Sequence, residues 1–507
     1  MTRTLLAAGL AAAAAALLAG CMVGPDFKRP QPPAVTGYTE TPLPPETASA
    51  QGTGGASQRF LSDREIPAEW WTLFHSPPLD QLIRRALANS PTLAAAQASL
   101  RQSQENRRAL TGEVLYPAVD ASFSAEKQQF SSAAFGQPSV PSSTFNLYNA
   151  SVGVSYSLDL FGGGRRGLES LGAQVDYQGY QLEGAHLALT ANIVTSAITE
   201  ASLREQIRAT KEMISDLERQ AGIVERQFQL GAASRSDVLA QETQLAQLRA
   251  TLPPLQLALA QTRHQLAALV GAFPIDAGQE GSAALPEFRL DALELPQELP
   301  VSLPSAVVRQ RPDVLASEAL LHQTSADIGV ATAAMFPQIT LTGSVGSEAA
   351  HISDLFSGPS AVWSLGAALL QPVFHGGELR AKRRAAVDAY DQAAALYRET
   401  VLLAFRNVAD VLRALDLDAE RLQAQVKAEA TARDALEMTQ KQFDLGAVNF
   451  LSLLVAQRQY RLTQVLLIQA QAQRYSDTAA LFEALGGGWW NRGGPIPPVP
   501  PTAVSAK

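Results

Sequence analysis

The sequence predicts a membrane protein of the α+β class, a tandem internal repeat whose strands lie in isolated hairpins between very long coiled-coil helices. Three observations carry that prediction. The chain repeats itself: "RQFQLGAASRSDVLAQ" (226–241) returns as "KQFDLGAVNFLSLLVA" (441–456), and Gly231 is matched by Gly446, 215 residues on. After the first twenty positions no run of 18 or more apolar residues occurs, so any membrane crossing must use strands. The helical periodicities also continue over roughly sixty residues, a length that belongs to coiled coils rather than compact domains.

In chain order, residues 1–20 read as a secretory signal: Arg3 supplies charge, Leu5 to Leu18 is apolar and alanine-rich, and "LAGC" closes it at Cys21. A small-residue site ending in cysteine is the pattern of a bacterial lipoprotein. Cys21 is therefore the expected lipidation residue, tying the mature chain to outer-membrane lipid through acyl chains that gain about 0.8 kcal/mol per buried methylene. Met22 stands where an inner-membrane retention signal usually places aspartate, which favours outer-membrane sorting. Residues 21–62, rich in Pro, Gly, Ser and Thr, read as a lipidated tether.

The first repeat is expected over 63–272 and the second over 300–486, joined by a linker (273–299) and followed by a non-regular tail (487–507). Strands are expected at about 118–130, 147–160, 337–349 and 361–374. Tyr148, Ala150, Val152, Val154, Tyr156 and Leu158 alternate with polar neighbours; so do Val119, Ala121 and Phe123, and Ile339, Leu341 and Val345. A period of two with aromatic ends matches transmembrane barrel strands, apolar toward lipid and polar toward a lumen. Four strands cannot close a barrel, and open edges are not tolerated in hydrocarbon. Several chains must share one: two would make eight strands, three would make twelve.

Long helices are expected at about 165–230, 234–271, 377–445 and 450–485. Ile207, Ile214, Leu217, Ala221, Val224 and Phe228 fall on heptad positions, as do Phe405, Val408, Leu412, Leu415, Ala419, Leu422 and Val426. Leu230-Gly231 and Leu445-Gly446 offer glycine where a helix ends left-handed. Ser234 with Asp237 then makes a capping-box pattern, with Asn449 and Ser452 in those places of the second copy. Pro253 and Pro254 are expected to bend the returning helix of the first repeat.

At the first strand-to-helix corner, Gly162, Gly164 and Gly167 have the dinucleotide-binding spacing G-x-G-x-x-G. The second copy argues against nucleotide. With Phe161 matched to Phe374, His375 replaces Gly162 and Arg380 replaces Gly167, while Gly163 and Gly164 persist as Gly376 and Gly377. No acid follows at the end of a second strand, so these glycines are expected to be corner formers. A net charge of −8 gives no electrostatic case for nucleic acid. None of the six histidines has metal spacing, Cys21 is the only cysteine, and no nucleophile elbow or phosphate loop occurs; no metal, cofactor or catalytic group is expected.

"CMVGPDFKRP", "RPDVLASEALL", "AAMFPQITLTGSVGS", the paired "QFxLGA" turns and "ALGGGWW" together resemble the outer-membrane factor family, the TolC type, and its lipidated OprM/NodT branch in particular. The resemblance covers nearly the whole chain from Cys21 to Trp490. It implies a homotrimer: a 12-strand transmembrane β-barrel, four strands per chain, continuous with a long periplasmic α-helical barrel and girdled by a belt of mixed structure. The function implied is the passive exit duct of a tripartite efflux pump, with an inner-membrane transporter of the resistance-nodulation-division (RND) type and a periplasmic adaptor as partners. Carried over by position, the resting tip involves Asp237 in the first repeat and Phe443, Val448, Asn449, Phe450, Leu451 and Arg458 in the second, while the turns at Gly231, Ser234 and Gly446 face the adaptor. Positions that hold aspartates in some members are Ser452 and Val455 here. Closure by charge pairs and closure by an apolar ring such as Leu451 therefore both stay open, and Asp237 has a capping role as well. Two other readings are a type I secretion duct, which "VGPDF" and "ALGGGW" argue against, and an envelope-bridging coiled-coil lipoprotein, which the dyad strands argue against.

Overall fold

The computed structural model describes residues 22–62, 64–131, 141–275, 284–302 and 304–494. The signal segment and Cys21 lie outside the described residues. The chain divides into two compact units. The first gathers the chain up to Pro30, Leu100–Gln178 and Ser317–Tyr397; the second gathers Gln31–Ser99, Gly179–Ala316 and the chain from Arg398 on.

In chain order the elements are β1 (Arg59–Leu61), α1 (Pro77–Asn89), α2 (Pro91–Leu115), β2 (Ala118–Phe130), β3 (Ser143–Leu158), α3 (Gly163–Gln229), α4 (Arg235–Leu269), β4 (Glu298–Pro300), α5 (Pro304–Gln310), α6 (Pro312–Ala333), β5 (Gln338–Ala349), β6 (Ala361–Leu370), α7 (Glu378–Asp444) and α8 (Phe450–Ala484). The duplication is explicit in the helices. α3 and α7 both have 67 residues and α4 and α8 both have 35, every boundary recurring 215 positions on (378 − 163, 444 − 229, 450 − 235, 484 − 269). At a rise of 1.5 Å per residue each longer helix measures about 100 Å.

Heptad packing accounts for that length. Val408, Leu412, Leu415, Ala419 and Leu422 are all buried along α7, as are Leu217 and Val224 on α3. An unbroken row of this kind stabilises a helix at every turn, where propensity alone would be marginal. α4 continues as one helix through Pro253 and Pro254.

The first unit carries one antiparallel sheet in the order β2-β3-β5-β6. The fourth strand stops at Leu370, short of the 374 read from the sequence, because Pro372 has no N–H to continue a ladder.

The second unit contains a short parallel pair, β1 with β4. Its core includes Trp70 stacked on Phe482 with ring centroids 5.4 Å apart. Three stretches read as non-core are part of this packing. In the stretch expected to be a tether, Tyr38 donates to Ser302 O at 2.7 Å, and the buried Arg474 donates to Gly54 O, Thr47 Oγ1 and Gln58 Oε1 at 2.9, 3.0 and 3.0 Å. In the inter-repeat segment Leu285, Phe288, Leu290, Leu293, Leu295 and Leu299 are buried. In the stretch expected to be a non-regular tail, Trp489 donates to Gln310 O at 2.7 Å, and Arg492 donates to both carboxylate oxygens of Glu183 at 3.0 Å. Low-complexity composition hides this because the contacts are isolated and join positions far apart in sequence, with no periodic pattern.

Candidate functional site: a two-faced sheet and two helical turns

Strand register decides what the sheet presents. Residues directly opposite on neighbouring strands share a face. Val119 pairs with Val154, Ala121 with Val152 and Phe123 with Ala150. Val152 pairs in turn with Val345, Tyr156 with Leu341 and Leu158 with Ile339; Val345 then meets Trp363, and Gly343 meets Leu365. The alternation seen along each strand is thus carried across all four as one continuous apolar face. It is bare: Val345 is 64% exposed and Trp363 79%.

The opposite face is polar over most of β2, β3 and β5, while on β6 only Ser364 is polar, among Val362, Gly366, Ala368 and Leu370. Serines bond across it, Ser122 to Ser151 at 3.0 Å and Ser344 to Ser364 at 2.8 Å. Asp120, Glu126 and Glu348 share this parity, whereas Lys127, the only basic residue of the four strands, takes the other. Among the described residues the outer edges of β2 and β6 pair with nothing.

Each long helix ends in the same motif. Gly231 at φ 75° donates to Phe228 O at 2.9 Å, and Ala232 donates to Gln227 O at 2.7 Å; Gly446 at φ 73° and Ala447 repeat these bonds to Phe443 O and Gln442 O at 2.9 and 2.8 Å. This is the Schellman ending, which needs a left-handed residue and so glycine. Leu230 and Leu445, one position earlier, are among the most exposed large apolar residues.

The next helix starts at once. Ser234 Oγ accepts from Asp237 N at 3.2 Å, and Asp237 Oδ2 accepts from Ser234 N at 2.9 Å, closing a capping box. The bonds from Ser234 hold the Asp237 carboxyl below the usual carboxylate range. In the second copy Asn449 Oδ1 accepts from Ser452 N at 3.0 Å, but Ser452 has no carboxylate to return the bond.

The tip residues fall into two groups. Phe443 lies 5.7 Å from Phe450, over a small core of Val224, Val238, Phe450, Leu453 and Leu454. Leu451 and Arg458 instead line a groove between α4 and α8, with Leu239 and Val455. Asp237 is not brought to Arg458; its described partner is Ser234.

The strand-to-helix corners are shifted from the sequence reading. The left-handed residue of the first corner is Gly162 (φ 77°), and Gly163 and Gly164 are already the first residues of α3. There a Cβ on Gly164 would stand 2.7 Å from Val114 Cγ1, so close packing demands that glycine. Both Gly376 (φ 59°) and Gly377 (φ 91°) are left-handed, and Gly377 lies 215 positions beyond Gly162. The equivalence is thus Gly162 with Gly377. Matching phenylalanines hid it, because the second corner is two residues longer before its helix.

One residue escaped sequence reasoning altogether. Arg166 is only 1% exposed, in the first turn of α3. Its Nη2 donates to Asp26 Oδ1 and its Nη1 to Glu169 Oε2, both at 2.7 Å. The usable signal was "RR" at a helix start, where the helix dipole disfavours cations unless each is partnered.

The chain matches the sequence profile of the outer membrane efflux protein family over residues 82–272 and 303–487, once per repeat. It is 31% identical over 457 residues to the pyoverdine export outer membrane protein OpmQ of Pseudomonas aeruginosa, covering 89% of this chain and 94% of that one. It is 27% identical to the probable outer membrane lipoprotein SilC of Salmonella typhimurium, over 93% of this chain and 97% of SilC. Among solved structures, the outer-membrane channel OprN superposes with a TM-score of 0.81 at 28% identity, over 92% of this chain and the whole of OprN.

Proposed function

The chain belongs to the outer membrane efflux protein family, and from that premise we propose that it is the outer-membrane exit duct of a tripartite efflux pump. Three copies pool their sheets into a 12-strand barrel continuous with an α-helical barrel in the periplasm. Substrates delivered by an RND-type transporter and a periplasmic adaptor pass through it down their own gradient. Acylated Cys21 anchors each copy in the outer membrane. Gly231, Ser234 and Gly446 shape the turns that meet the adaptor, and Asp237, Asn449, Leu451 and Arg458 form the resting mouth.

The observation that carries this reading is the register of the sheet. One face is apolar across all four strands and the other is polar over most of β2, β3 and β5, while two edges are left unpaired. Three antiparallel steps separate β2 from β6, so the two run in opposite directions. The β6 edge of one copy therefore suits the β2 edge of the next, and a heterologous contact that closes on itself removes every edge. The lumen would then be lined by serines, threonines and carboxylates.

The test is the detergent-extracted full-length protein. Trimers on a native gel that conduct ions in a planar bilayer are expected; a water-soluble monomer that conducts nothing overturns the proposal. Ala232→Cys and Ala447→Cys, placed beside the turn glycines, are expected to cross-link to a co-expressed adaptor. Cross-links only from positions on the sheet would overturn the assignment of the turns.

A further inference from the structure

Three helices of the second unit enclose a groove behind the tip. α3 contributes Met213 and Leu217, α7 contributes Leu436, and α8 contributes Gln457 and Arg461, around a volume of about 430 Å³. That size lies in the range of sites for small organic molecules. All of these residues belong to one chain, so the site is independent of barrel closure. Met213 and Leu217 are buried, and Leu436 packs against the small core of Phe450 and its neighbours, which gives the groove an apolar floor. Gln457 follows the first residue of α8 by seven positions (457 − 450), about 10 Å at 1.5 Å per residue.

Glutamines join α3 to α8 along this seam: Gln469 Nε2 donates to Gln206 Oε1 at 3.3 Å, and Gln457 Nε2 to Gln220 Oε1 at 2.6 Å. At the second pair a donor and an acceptor are left over. Gln457 is 6% exposed and its Oε1 accepts no bond, while one turn on Arg461 Nη2 is buried and donates none. Arg461 Nε donates to Gln457 O at 3.1 Å, and among the described residues no carboxylate pairs with the guanidinium. Burial and then Arg458 hold its pKa below the ordinary arginine value. Of the two carboxylates on the groove, Asp216 is taken by Arg219, and Glu437 has Lys441 one turn further along α7. A half-buried cation with no anion, beside a buried carbonyl with no donor, is costly unless a guest meets both.

We propose that this groove binds a small amphipathic monocarboxylate that carries an N–H or O–H next to its acid group. The carboxylate accepts from Arg461, the neighbouring N–H or O–H donates to Gln457 Oε1, and the apolar part covers Met213, Leu217 and Leu436. Asp216 and Glu437 at the rim disfavour a second negative charge on the guest. The unmet groups sit within one turn of α8, which suits a compact head group. A docking helix would call for unmet groups along the seam, whereas Gln206 and Gln469 farther along it are already paired.

The test uses the full-length protein in lipid nanodiscs and N-acetyl-tryptophan as the probe, which has a carboxylate, an adjacent N–H and an apolar ring. Saturation-transfer NMR, corrected against protein-free discs, is expected to show saturable binding. N-acetyl-tryptophanamide, which lacks the charge, is expected to bind about tenfold more weakly. Arg461→Gln is expected to weaken the acid by a similar factor and to erase the preference for acid over amide. Gln457→Glu, which sets a carboxylate one turn from Arg461, is expected to abolish acid binding. Variants are compared at equal helical content by circular dichroism, so that a folding loss is told apart from a binding loss. No saturable signal at millimolar acid, equal binding of acid and amide, or acid binding that survives both variants overturns the proposal. So does an Arg461 shielded from phenylglyoxal by a co-expressed adaptor but not by the acid, which would give the groove to a partner helix.

Discussion

The two-faced sheet makes a prediction that turns on neighbouring residues. Val345 pairs with Val152 and Trp363 on the apolar face, while Ser344 pairs with Gly153 and Ser364 on the polar one. Consider Val345→Arg against Ser344→Arg, the same added charge one position apart. If the apolar face meets lipid, arginine at 345 costs about 2–4 kcal/mol per copy near the bilayer midplane, or about 6–12 kcal/mol for a barrel of three. At 344 the guanidinium stays in water, and the loss is the 2.8 Å Ser344–Ser364 bond, about 1 kcal/mol. Val345 is already 64% exposed in the single chain, so its replacement leaves no cavity to confuse the comparison. Folding into lipid vesicles under a urea titration, scored by the trimer fraction, separates the two. Val345→Arg is expected to abolish trimers at urea concentrations where Ser344→Arg retains them. Equal losses, or a greater loss at 344, would refute the assignment of the faces.

Three further outcomes follow from local chemistry. Gly231→Ala and Gly446→Ala each force a left-handed alanine into open space and are expected to cost about 1 kcal/mol alike, read as faster amide exchange at the turn; unequal effects would mean one turn carries more than its backbone. Burial pushes the His186 imidazole down to about 4 from 6.5, with Arg492 adding to the effect. Its folded pKa lies below the unfolded one, so its contribution is full above pH 6.5 and is lost as pH falls toward 4; His186→Gln is expected to recover up to roughly 3 kcal/mol of that acid loss in pH-dependent melts. Burial and then Asp418 push the Asp477 carboxyl up to about 7 from 3.8, while Gln473 donates to both its oxygens at 3.1 Å. The folded chain there holds a proton that the unfolded one releases, so stability falls as pH rises from about 4 to 7. Asp477→Asn is expected to gain about 1–2 kcal/mol at pH 8 and little at pH 4; a gain independent of pH would refute the shared-proton explanation.

How far the sequence could be read depended on range. Heptads along 405–426 and dyads along 148–158 are local periodicities enforced at every step, so helix and strand positions follow from them directly. The turns at Gly231 and Gly446 were legible because a left-handed ending admits few residues and the motif occurs twice. Arg166 was not, since its acceptors Val23 O and Gly24 O lie more than a hundred positions away and are backbone atoms, which any residue supplies. Arg474, which donates to Gly54 O, is the same case in the second unit. At the tip, the residues named together divide between a phenylalanine-capped core and an open groove, a distinction set by which way each helix is rotated.

The bare margins of β2 and β6 have a kinetic cost. Newly exported polypeptide carries two hydrogen-bonding templates and an oily surface through an aqueous compartment before any sister arrives. Stray pairing, β6 against β6 for instance, satisfies backbone groups as well as the correct partner does, yet yields a dead-end dimer that cannot become a ring. Productive encounter and aggregation both scale with concentration. Overproduction without the envelope's chaperones should therefore raise precipitate faster than pores, and the long helices, stabilised within one chain, would reach their native state well before the strands do.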